Sequence, residues 1–533
     1  EIASAAKLCG AVVFMGIPGQ EGGAALADLL TGKRNFRGQL SQSWPVRRAD
    51  FTKANSKKDI YCGYRWFDAA GVELLYDFGH GLHYGAAELT AVSVAVDDKD
   101  VVVTATVENT SEIWSVSRAV QVYVSRPASR LPQPKQVFMA FARTKELAPG
   151  ESRTVTVRFA VSDMACFSED ASAFVLEAGT YLVRVGFSAR SAVIAGALNL
   201  AREQVTAPAM PLEMSRTENR KVGPAFTYPG EADEEAFARK QAIRLAAWNV
   251  GKTALRRSRA AQPCRPGTFT PTLTDVKLGA ASVFELVAAM SDAELKKLVL
   301  DFGFCPTTVP GALGASADLS EEYGIRPLTV AAGADGLLLT RDIRHEETDK
   351  VIAHQYTTAF PAASLLACAW DVDAVTAVGK AVGEEMKEYG VDLWLMPGAD
   401  VLRGPGQRHA SRCWSEEPVL CGIFAAAMAR AVPGAVLRAV SLDRKTDISR
   451  RAYEEVYSLG FRIAAPDASA LLLPSERVNE GHCGEDTAQT RALFDSWRFG
   501  GMVFADDERY SADADRLMLE QSAVRILRFM AGK

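Results

Sequence analysis

Between Thr90 and Arg190 apolar residues recur at every second position. Val92, Val94 and Val96 alternate with small or polar residues, a turn cluster follows at Asp97–Asp100, and Val101, Val103, Ala105 and Val107 resume the alternation. The same spacing returns at Val120/Val122/Val124, Val155/Val157/Phe159 and Tyr181/Val183/Val185, punctuated by Pro149-Gly150 and Ala178-Gly179. A period of two puts one set of side chains on a single face of each strand. Several short strands with regular turns predict an antiparallel β-sandwich over residues 86–200.

Elsewhere the period changes. In residues 1–85, Ala11–Met15 reads as a short buried strand. The turn-rich Gly16, Pro18, Gly19, Gly22 and Gly23 then lead into a helix at Ala24–Leu30. Asp59–Tyr84, rich in glycine and aromatics, reads as a packed irregular connection. Residues 201–265 read as a linker with helical pieces, and its basic cluster Arg256–Arg259 as a solvated helix face. From Thr268 onward helices alternate with short apolar runs. In Ala374–Tyr389, Val375, Val378, Val382 and Met386 lie three to four apart and Gly390 can end the helix. Val391–Met396, Ala470–Leu473 and Met502–Ala505 are strand-like, and Ser449–Leu459 is helical, with Ala452, Val456 and Leu459 on one side. Such alternation over residues 266–533 predicts a (β/α)8-type barrel, in which functional groups follow the C-terminal ends of strands.

Composition narrows the function classes. The 533 residues are 48% hydrophobic and 23% charged, the balance of ordinary globular domains. Sixty basic and 65 acidic residues give a net charge of −5 with no basic stripe, so no nucleic-acid partner is expected. No apolar run reaches the ~18 residues of a membrane span. Nine scattered cysteines without a CxxC pair predict reduced thiols and a cytoplasmic location. The first residue, Glu1, has no signal-like segment behind it and reads as the start of a fragment or processed product.

Several segments carry a resemblance. Pro18-Gly19-Gln20-Glu21-Gly22-Gly23, Ala27-Asp28 and Ser43-Trp44-Pro45 look like the closing part of an α/β-sandwich domain of glycoside hydrolase family 3, the β-glucosidase type. Gly63–Asp68 and Phe78–Tyr84 resemble that family's connection into its fibronectin-III-like domain. Leu147–Glu151 and Glu177–Tyr181 resemble that sandwich itself. Phe360-Pro361 through Trp370, Gly383-Glu384-Glu385, Gly390-Val391, Ser415-Glu416-Glu417-Pro418, Val478-Asn479, Gly481 and Trp497 through Asp506 are similar to its barrel. The resemblance implies a multidomain α/β plus all-β fold. A partial α/β-sandwich comes first, then the β-sandwich, then the barrel, a permuted order found in a sub-group. Only 27 residues (507–533) follow Asp506, which implies a shortened end, with Leu517-Met518-Leu519 as the last strand and Ser522–Met530 as a closing helix.

The resemblance also implies a retaining hydrolysis of O-glycosyl bonds by two carboxyl groups roughly 5–5.5 Å apart. Gly501–Asp506 matches the family's nucleophile segment, making Asp506 the nucleophile candidate; its other reading is a solvated carboxylate after a strand. The family's Asp-Gly-Pro, which holds sugar hydroxyls, aligns with Ala332-Gly333-Ala334. Asp335 nearby is read as a loop-surface residue. The Lys-His pair aligns with Arg438-Ala439, the arginine before Ser-Glu-Asp-Pro with His409 beside Arg408, and a tyrosine with Ser475. Arg438, His409 and Arg408 are therefore the substrate-binding candidates. The loop that carries the general acid in many members has no counterpart here. Each lost charged contact costs about 1.5–3 kcal/mol, so two readings stand: a glycosidase, and a non-catalytic relative that binds carbohydrate or serves as a scaffold. Neither implies a metal or cofactor. The expected partner is a carbohydrate, with no membrane; homo-oligomerisation is left open.

The remaining signals have bland readings. Gly311–Gly314 lacks the Lys-Ser/Thr ending of a phosphate loop and reads as a turn. His482-Cys483 with Glu485 and Asp486 reads as an inert loop cluster, and Cys413 and Cys421 as small packing residues. The six histidines form no recognisable cluster.

Overall fold

The computed structural model describes residues 2–55, 58–127, 130–209, 219–220, 222, 226–246, 263–300, 305–345, 347–404, 406–407, 410–438, 448–473, 477–478, 481–482, 499, 501–505 and 516–532. The alternating region forms the predicted sandwich. Ala87–Asp97, Asp100–Asn109 and Ser152–Ala160 make one antiparallel sheet, with Asp98 at a positive φ of 52° in the first hairpin. In the facing sheet, Ala119–Ser125 lies between Val137–Arg143 and Gly179–Gly186, with Val193–Leu200 and Ile243–Arg244 beyond. Val101, Val103, Ala105 and Val107 meet Val120, Val122, Val124, Val183 and Val185 in a common core. Burial alternates along Asp100–Asn109, but every residue of Ala119–Ser125 is buried. That strand has a second partner: Ala119 and Tyr123 pack with Tyr64, Phe78 and Trp370 in another core.

The C-terminal half is built on five parallel strands in chain order: Thr329–Ala331, Leu393–Trp394, Val436–Arg438, Ala470–Leu473 and Met502–Ala505. Parallel bridges Trp394–Ala435 and Gly398–Arg438 join the second strand to the third. Ala331, Trp394, Leu437 and Leu471 belong to one core, shared with helices Val372–Tyr389, Pro418–Ala431 and Leu459–Ala464. Val330, Leu393, Val436, Ala470 and Met502 belong to another, shared with Leu273–Leu278, Val283–Ala289, Asp292–Leu300 and Arg516–Ala531. Local sequence explains these helices. In Val372–Tyr389, Asp371 accepts from the N–H groups of Asp373 and Ala374, Val375, Val382 and Met386 are buried, and Gly390 ends the helix at φ 70°. Each fully buried valine or methionine contributes about 1.5–3 kcal/mol.

Two expectations are corrected. Leu517-Met518-Leu519, read as a last strand in a shortened barrel, is the first turn of helix Arg516–Ala531. Leu519, Ala523, Val524, Ile526 and Leu527 form its buried stripe, and Arg516 pairs with Glu520 one turn on; three apolar residues were too few to fix a period. Ala11–Met15 pairs with no strand among the described residues, and Val12, Val13 and Phe14 are exposed. The run is apolar, but no described backbone lies beside it to make a ladder. Phe14 instead meets Trp44 edge to face at 5.1 Å. The following helix begins two residues early, at Gly22. Helix Glu231–Lys240 packs on Val193–Leu200, while Arg256–Arg259 lies outside the described residues.

Residues 39–80 are wedged between sandwich and parallel sheet. The Gln39 amide donates to Phe187 O at 2.7 Å and accepts from Ala119 N at 2.8 Å, while Gln39 N reaches Cys368 O at 2.8 Å. Ser41 O accepts from Ser415 Oγ at 2.7 Å. Glu416 then accepts from Ser43 N, Ser43 Oγ and Tyr64 N at 2.7–2.9 Å. Glu417 accepts two bonds from Arg65 Nη2 at 2.8 Å, one from the Tyr64 hydroxyl at 2.8 Å and one from Val419 N, capping Pro418–Ala431. Both carboxylates and Arg65 are buried. Removing one partner of a buried pair typically costs about 3–5 kcal/mol. Arg65→Ala is accordingly expected to lower unfolding free energy by about that amount in denaturant titrations.

Burial pushes the Glu416 carboxyl up to about 7, although its three donors pull the other way. The folded chain therefore holds this proton more tightly than the unfolded one, and its contribution to stability falls as pH rises from about 4.5 to about 7. Denaturant melts across this window should show the native chain losing stability relative to Glu416→Gln, by roughly 3 kcal/mol at most. A pH-independent difference would assign the titration elsewhere.

Candidate active site

In parallel α/β folds ligands gather at the C-terminal edge of the sheet, where backbone N–H groups and loop side chains converge. Here that edge is formed by Ala331, Trp394, Arg438, Leu473 and Ala505 and the loops that follow them. Arg438, Leu472 and Phe504 are in register, as are Leu473 and Ala505. Asp506 is the next residue after Ala505 in the chain and lies outside the described residues, as do Arg408, His409, Ala439 and Ser475. Neighbouring strands stand about 4.8 Å apart, so Val436–Arg438 and Met502–Ala505, two places apart in the sheet, are about 10 Å apart, within the span of a monosaccharide and its linkage. Arg438 is the only sequence-derived site residue among the described ones; it ends its strand and is half-buried.

The loop after Ala331 was underrated from sequence. Its path is tight: Gly333 and Gly336 have φ of 132° and 119°, and a Cβ on either would meet backbone oxygens at 1.9 and 2.3 Å. Trp394 Nε1 donates to Gly333 O at 3.0 Å, and Phe360 N to Asp335 O at 2.7 Å. Asp335, expected to be a loop-surface residue, is thereby held half-buried, with Oδ1 sequestered and without a hydrogen-bond partner. Burial alone pushes its carboxyl above the usual aspartate range. A buried acceptor without a donor costs free energy until a ligand supplies one. The glycine spacing was legible in the sequence; the side chain's burial depends on Phe360 and Trp394, which are distant in the chain.

A second group lies one strand over. Gly398 bridges to Arg438, and a Cβ on Gly398 would sit 2.9 Å from Arg412 O and 3.5 Å from Arg412 Cβ. Arg412 and Arg438 therefore project from adjacent backbone. Burial, and then the like charge of Arg438, push Arg412 below the ordinary arginine range, while Asp400 acts against them. Sequence reading passed over Arg412 because its neighbours Ala410, Ser411 and Cys413 give it no motif.

The other candidate clusters are structural. Glu416 has a perturbed carboxyl, yet Ser43 and Tyr64 occupy its oxygens at the head of a helix. Cys413 and Cys421 are buried, with thiols pushed up by burial. Gly311, at φ 81°, lies in a turn closed by Ala312 N on Val309 O, while Leu313 N bonds Val330 O and Gly314 begins strand Gly314–Ala315. Of the four residues around His482, only His482 is described. No group of three metal-capable side chains occurs among the described residues.

A parallel α/β sheet with loops gathered at its C-terminal edge, locked to a fibronectin-like sandwich, is the architecture of a multidomain glycoside hydrolase. Residues 1–84 match the glycosyl hydrolase family 3 C-terminal domain, 118–189 the fibronectin type III-like domain and 336–442 the glycosyl hydrolase family 3 N-terminal domain. The chain thus carries segments that match domains of glycoside hydrolase family 3, in permuted order. It is similar to Beta-glucosidase A of Butyrivibrio fibrisolvens, 28% identical over 92% of this chain and 64% of that protein. A beta-glucosidase of Ruminococcus albus is 28% identical over 93% of this chain and 53% of its own length. The fold is similar to that of a beta-glucosidase from Paenibacillus barengoltzii, with a TM-score of 0.79 over 96% of this chain and 64% of that one at 24% identity. This chain thus spans less than two thirds of the length of these relatives. No helix among the described residues is long and apolar enough to cross a membrane.

Proposed function

We propose that this chain is a β-glucosidase-type hydrolase acting on O-glycosyl bonds at the C-terminal edge of its parallel sheet, with Asp506 as nucleophile. The observation that supports the reading is the register of Met502–Ala505 with Ala470–Leu473 and Val436–Arg438, which ends the strand preceding Asp506 in the chain at the same edge as Arg438. Asp506 attacks the anomeric carbon as the bond to the leaving-group oxygen breaks, that oxygen taking a proton from the second carboxylic acid or from water, and the glycosyl ester so formed is then cleaved by water. Arg438, Arg408 and His409 hold the sugar, and Asp335 takes over the hydroxyl-accepting task that Ala332 and Ala334 cannot perform. The second carboxylic acid is left unassigned. The barrel reading is kept with it, as an arc of which the five parallel strands are the described part, and so are the domain limits 1–85, 86–200, 201–265 and 266–533. No disulfide joins two cysteines among the described residues, in keeping with a reducing, cytoplasmic setting.

The alanines at 332, 334 and 439 favour a second reading, carbohydrate binding without hydrolysis. Turnover of aryl β-glycosides decides between them. Under the first reading the native chain turns over at least one of the gluco, xylo and N-acetylglucosamino substrates, and Asp506→Ala loses on the order of 10⁴-fold in kcat. Equal rates for the two proteins would end the hydrolase proposal.

The role of Asp335 is checked through affinity. Asp335→Asn should raise KM or the sugar dissociation constant by roughly 10- to 100-fold, the worth of a hydrogen bond to a charged group. Binding by the native chain should also weaken as pH falls through the raised Asp335 range, and Asp335→Asn should flatten that dependence. An unchanged constant would return Asp335 to a purely structural role.

A further inference from the structure

The exposed apolar side chains around the Asp335 loop carry an inference about the group to which the sugar is joined. Leu337 and Leu339 of that loop pack into the core, while Leu338 between them lies open to solvent. Leu338 is held at the sheet edge: its N–H donates to Ala332 O at 2.8 Å, one residue past the end of strand Thr329–Ala331. Leu313 reaches the same strand end, with its N–H on Val330 O at 2.8 Å and the next residue paired antiparallel with Val330. Thr340 N on Pro310 O at 3.2 Å joins the two loops, and the Gln355 amide donates to Pro310 O at 2.7 Å and Thr340 O at 2.6 Å. Beyond them the chain runs through hairpin Asp342–Arg344 and Val351–His354, which bears Ile352, to Tyr356. The Tyr389 hydroxyl fixes Tyr356 by donating to its O at 2.6 Å, and two residues on Thr358 abuts Gly336, the neighbour of Asp335. Leu313, Leu338, Ile352 and Tyr356 are between 57% and 66% exposed.

Single exposed apolar groups are ordinary, but several gathered beside a ligand-binding edge mark a surface that something apolar covers. Three of these four side chains are aliphatic. An aliphatic surface rewards contact with apolar area, whereas a sugar hydroxyl set against it loses its hydrogen bond to water and gains none. The polar groups among them are engaged at home: Asp342 Oδ1 with His354 Nδ1 at 2.9 Å, and the Gln355 amide with Pro310 and Thr340. The Tyr356 ring is flanked by the Arg341 guanidinium at 5.3 Å and the His354 ring at 6.0 Å, which keeps it upright on the hairpin. Sugar hydroxyls are served instead by Asp335, whose sequestered Oδ1 has no donor. The edge therefore divides into a hydroxyl-accepting place at Asp335 and an apolar strip outside it.

We propose that Leu313, Leu338, Ile352 and Tyr356 form a leaving-group subsite, and that the glycosides taken at this edge carry an apolar aglycone. The inference rests on the reading of this edge as a carbohydrate site and names its substrate class. Methyl β-glucoside, n-octyl β-glucoside below its micellar range, and cellobiose, titrated calorimetrically into Asp506→Ala so that they stay intact, test it. The octyl glucoside should bind roughly tenfold to a hundredfold more tightly than the methyl glucoside, since each buried methylene is worth about fourfold, and glucose should displace it. Cellobiose should bind no more tightly than the methyl glucoside. Adding Leu338→Ser should bring the two alkyl glucosides to within about threefold of each other, with an unchanged thermal melt. Leu278→Ser, at an exposed position on a helix of the other core, should keep the preference. Equal affinity for the alkyl glucosides, or a preference that survives Leu338→Ser, overturns the subsite and leaves the carbohydrate reading standing. Cellobiose bound most tightly gives the strip to a second sugar and overturns the apolar aglycone. Octyl glucoside that glucose does not displace, or a native dimer that Leu338→Ser turns to monomer in sedimentation, gives the strip to another occupant and overturns it too. Failure of all three glucosides to bind removes both readings.

Discussion

The structure depends on two adjacent carboxylates that never meet water. Glu416 and Glu417 enter helix Pro418–Ala431 from a buried segment, and every donor they receive from a side chain comes from residues 43–65. Burying two neighbouring acidic groups, one of them pushed up to about 7, is among the costlier arrangements a fold can contain. It is tolerable here because the donors are preorganised. Helix Tyr64–Ala69 holds Tyr64 and Arg65 together, and Gly63, at φ 52°, brings the backbone so close that a Cβ would lie 2.4 Å from the Glu416 carboxyl carbon. Burial opposes the charge on Arg65, but Glu417, Tyr64 and Cys62 together outweigh it and hold the guanidinium above its ordinary range. The pair fixes geometry more than it adds stability, since apolar residues of similar size could fill the same space.

A second buried network repeats the device. Glu455, on the opposite side of the contact, accepts from Arg451, Arg126 and Phe167 N, so it too joins the parallel-sheet region to the sandwich. Burial pushes its carboxyl up and the two arginines pull it further down. Charges of this kind tolerate few relative positions of the two domains, because a shift of an ångström leaves a buried ion unpaired. The aromatic core between them, Tyr64, Phe78, Tyr123, Phe138 and Trp370, supplies adhesion without that selectivity.

What could be read from the sequence follows the range of the forces involved. Val372–Tyr389 was legible because cap, stripe and terminal glycine lie within one stretch of chain. Ala470–Leu473 and Met502–Ala505 were legible as short apolar runs, and the sandwich strands by their alternation. Ala11–Met15 and Leu517–Leu519 misled because an apolar run specifies burial, while a strand needs a neighbour and a helix needs a longer period. Asp335 was misjudged for a related reason: its burial comes from Phe360 and Trp394, 25 and 59 positions along the chain. Arg412 was missed because only the approach of Gly398 pairs it with Arg438.

The motifs that mark the family are mostly those of the lock. Ser43, Gly63, Tyr64, Arg65, Glu416 and Glu417 bind one another. Trp66 of the same motif lies under Arg220 at 3.9 Å, and Asp68 pairs with Arg190 at 2.9 Å. Gln39 and Phe78 join the same contact. None of these side chains belongs to the strand ends. Resemblance concentrated there measures how well the domain contact has been kept, and that contact can persist while the strand ends change. Ala332 and Arg438 stand at positions where substitution leaves the lock untouched, because the preceding residues Ala331 and Leu437 carry the packing. Fold and proposed chemistry therefore occupy separate sets of residues in this chain, so the strand ends can change without loss of the architecture that makes the family recognisable.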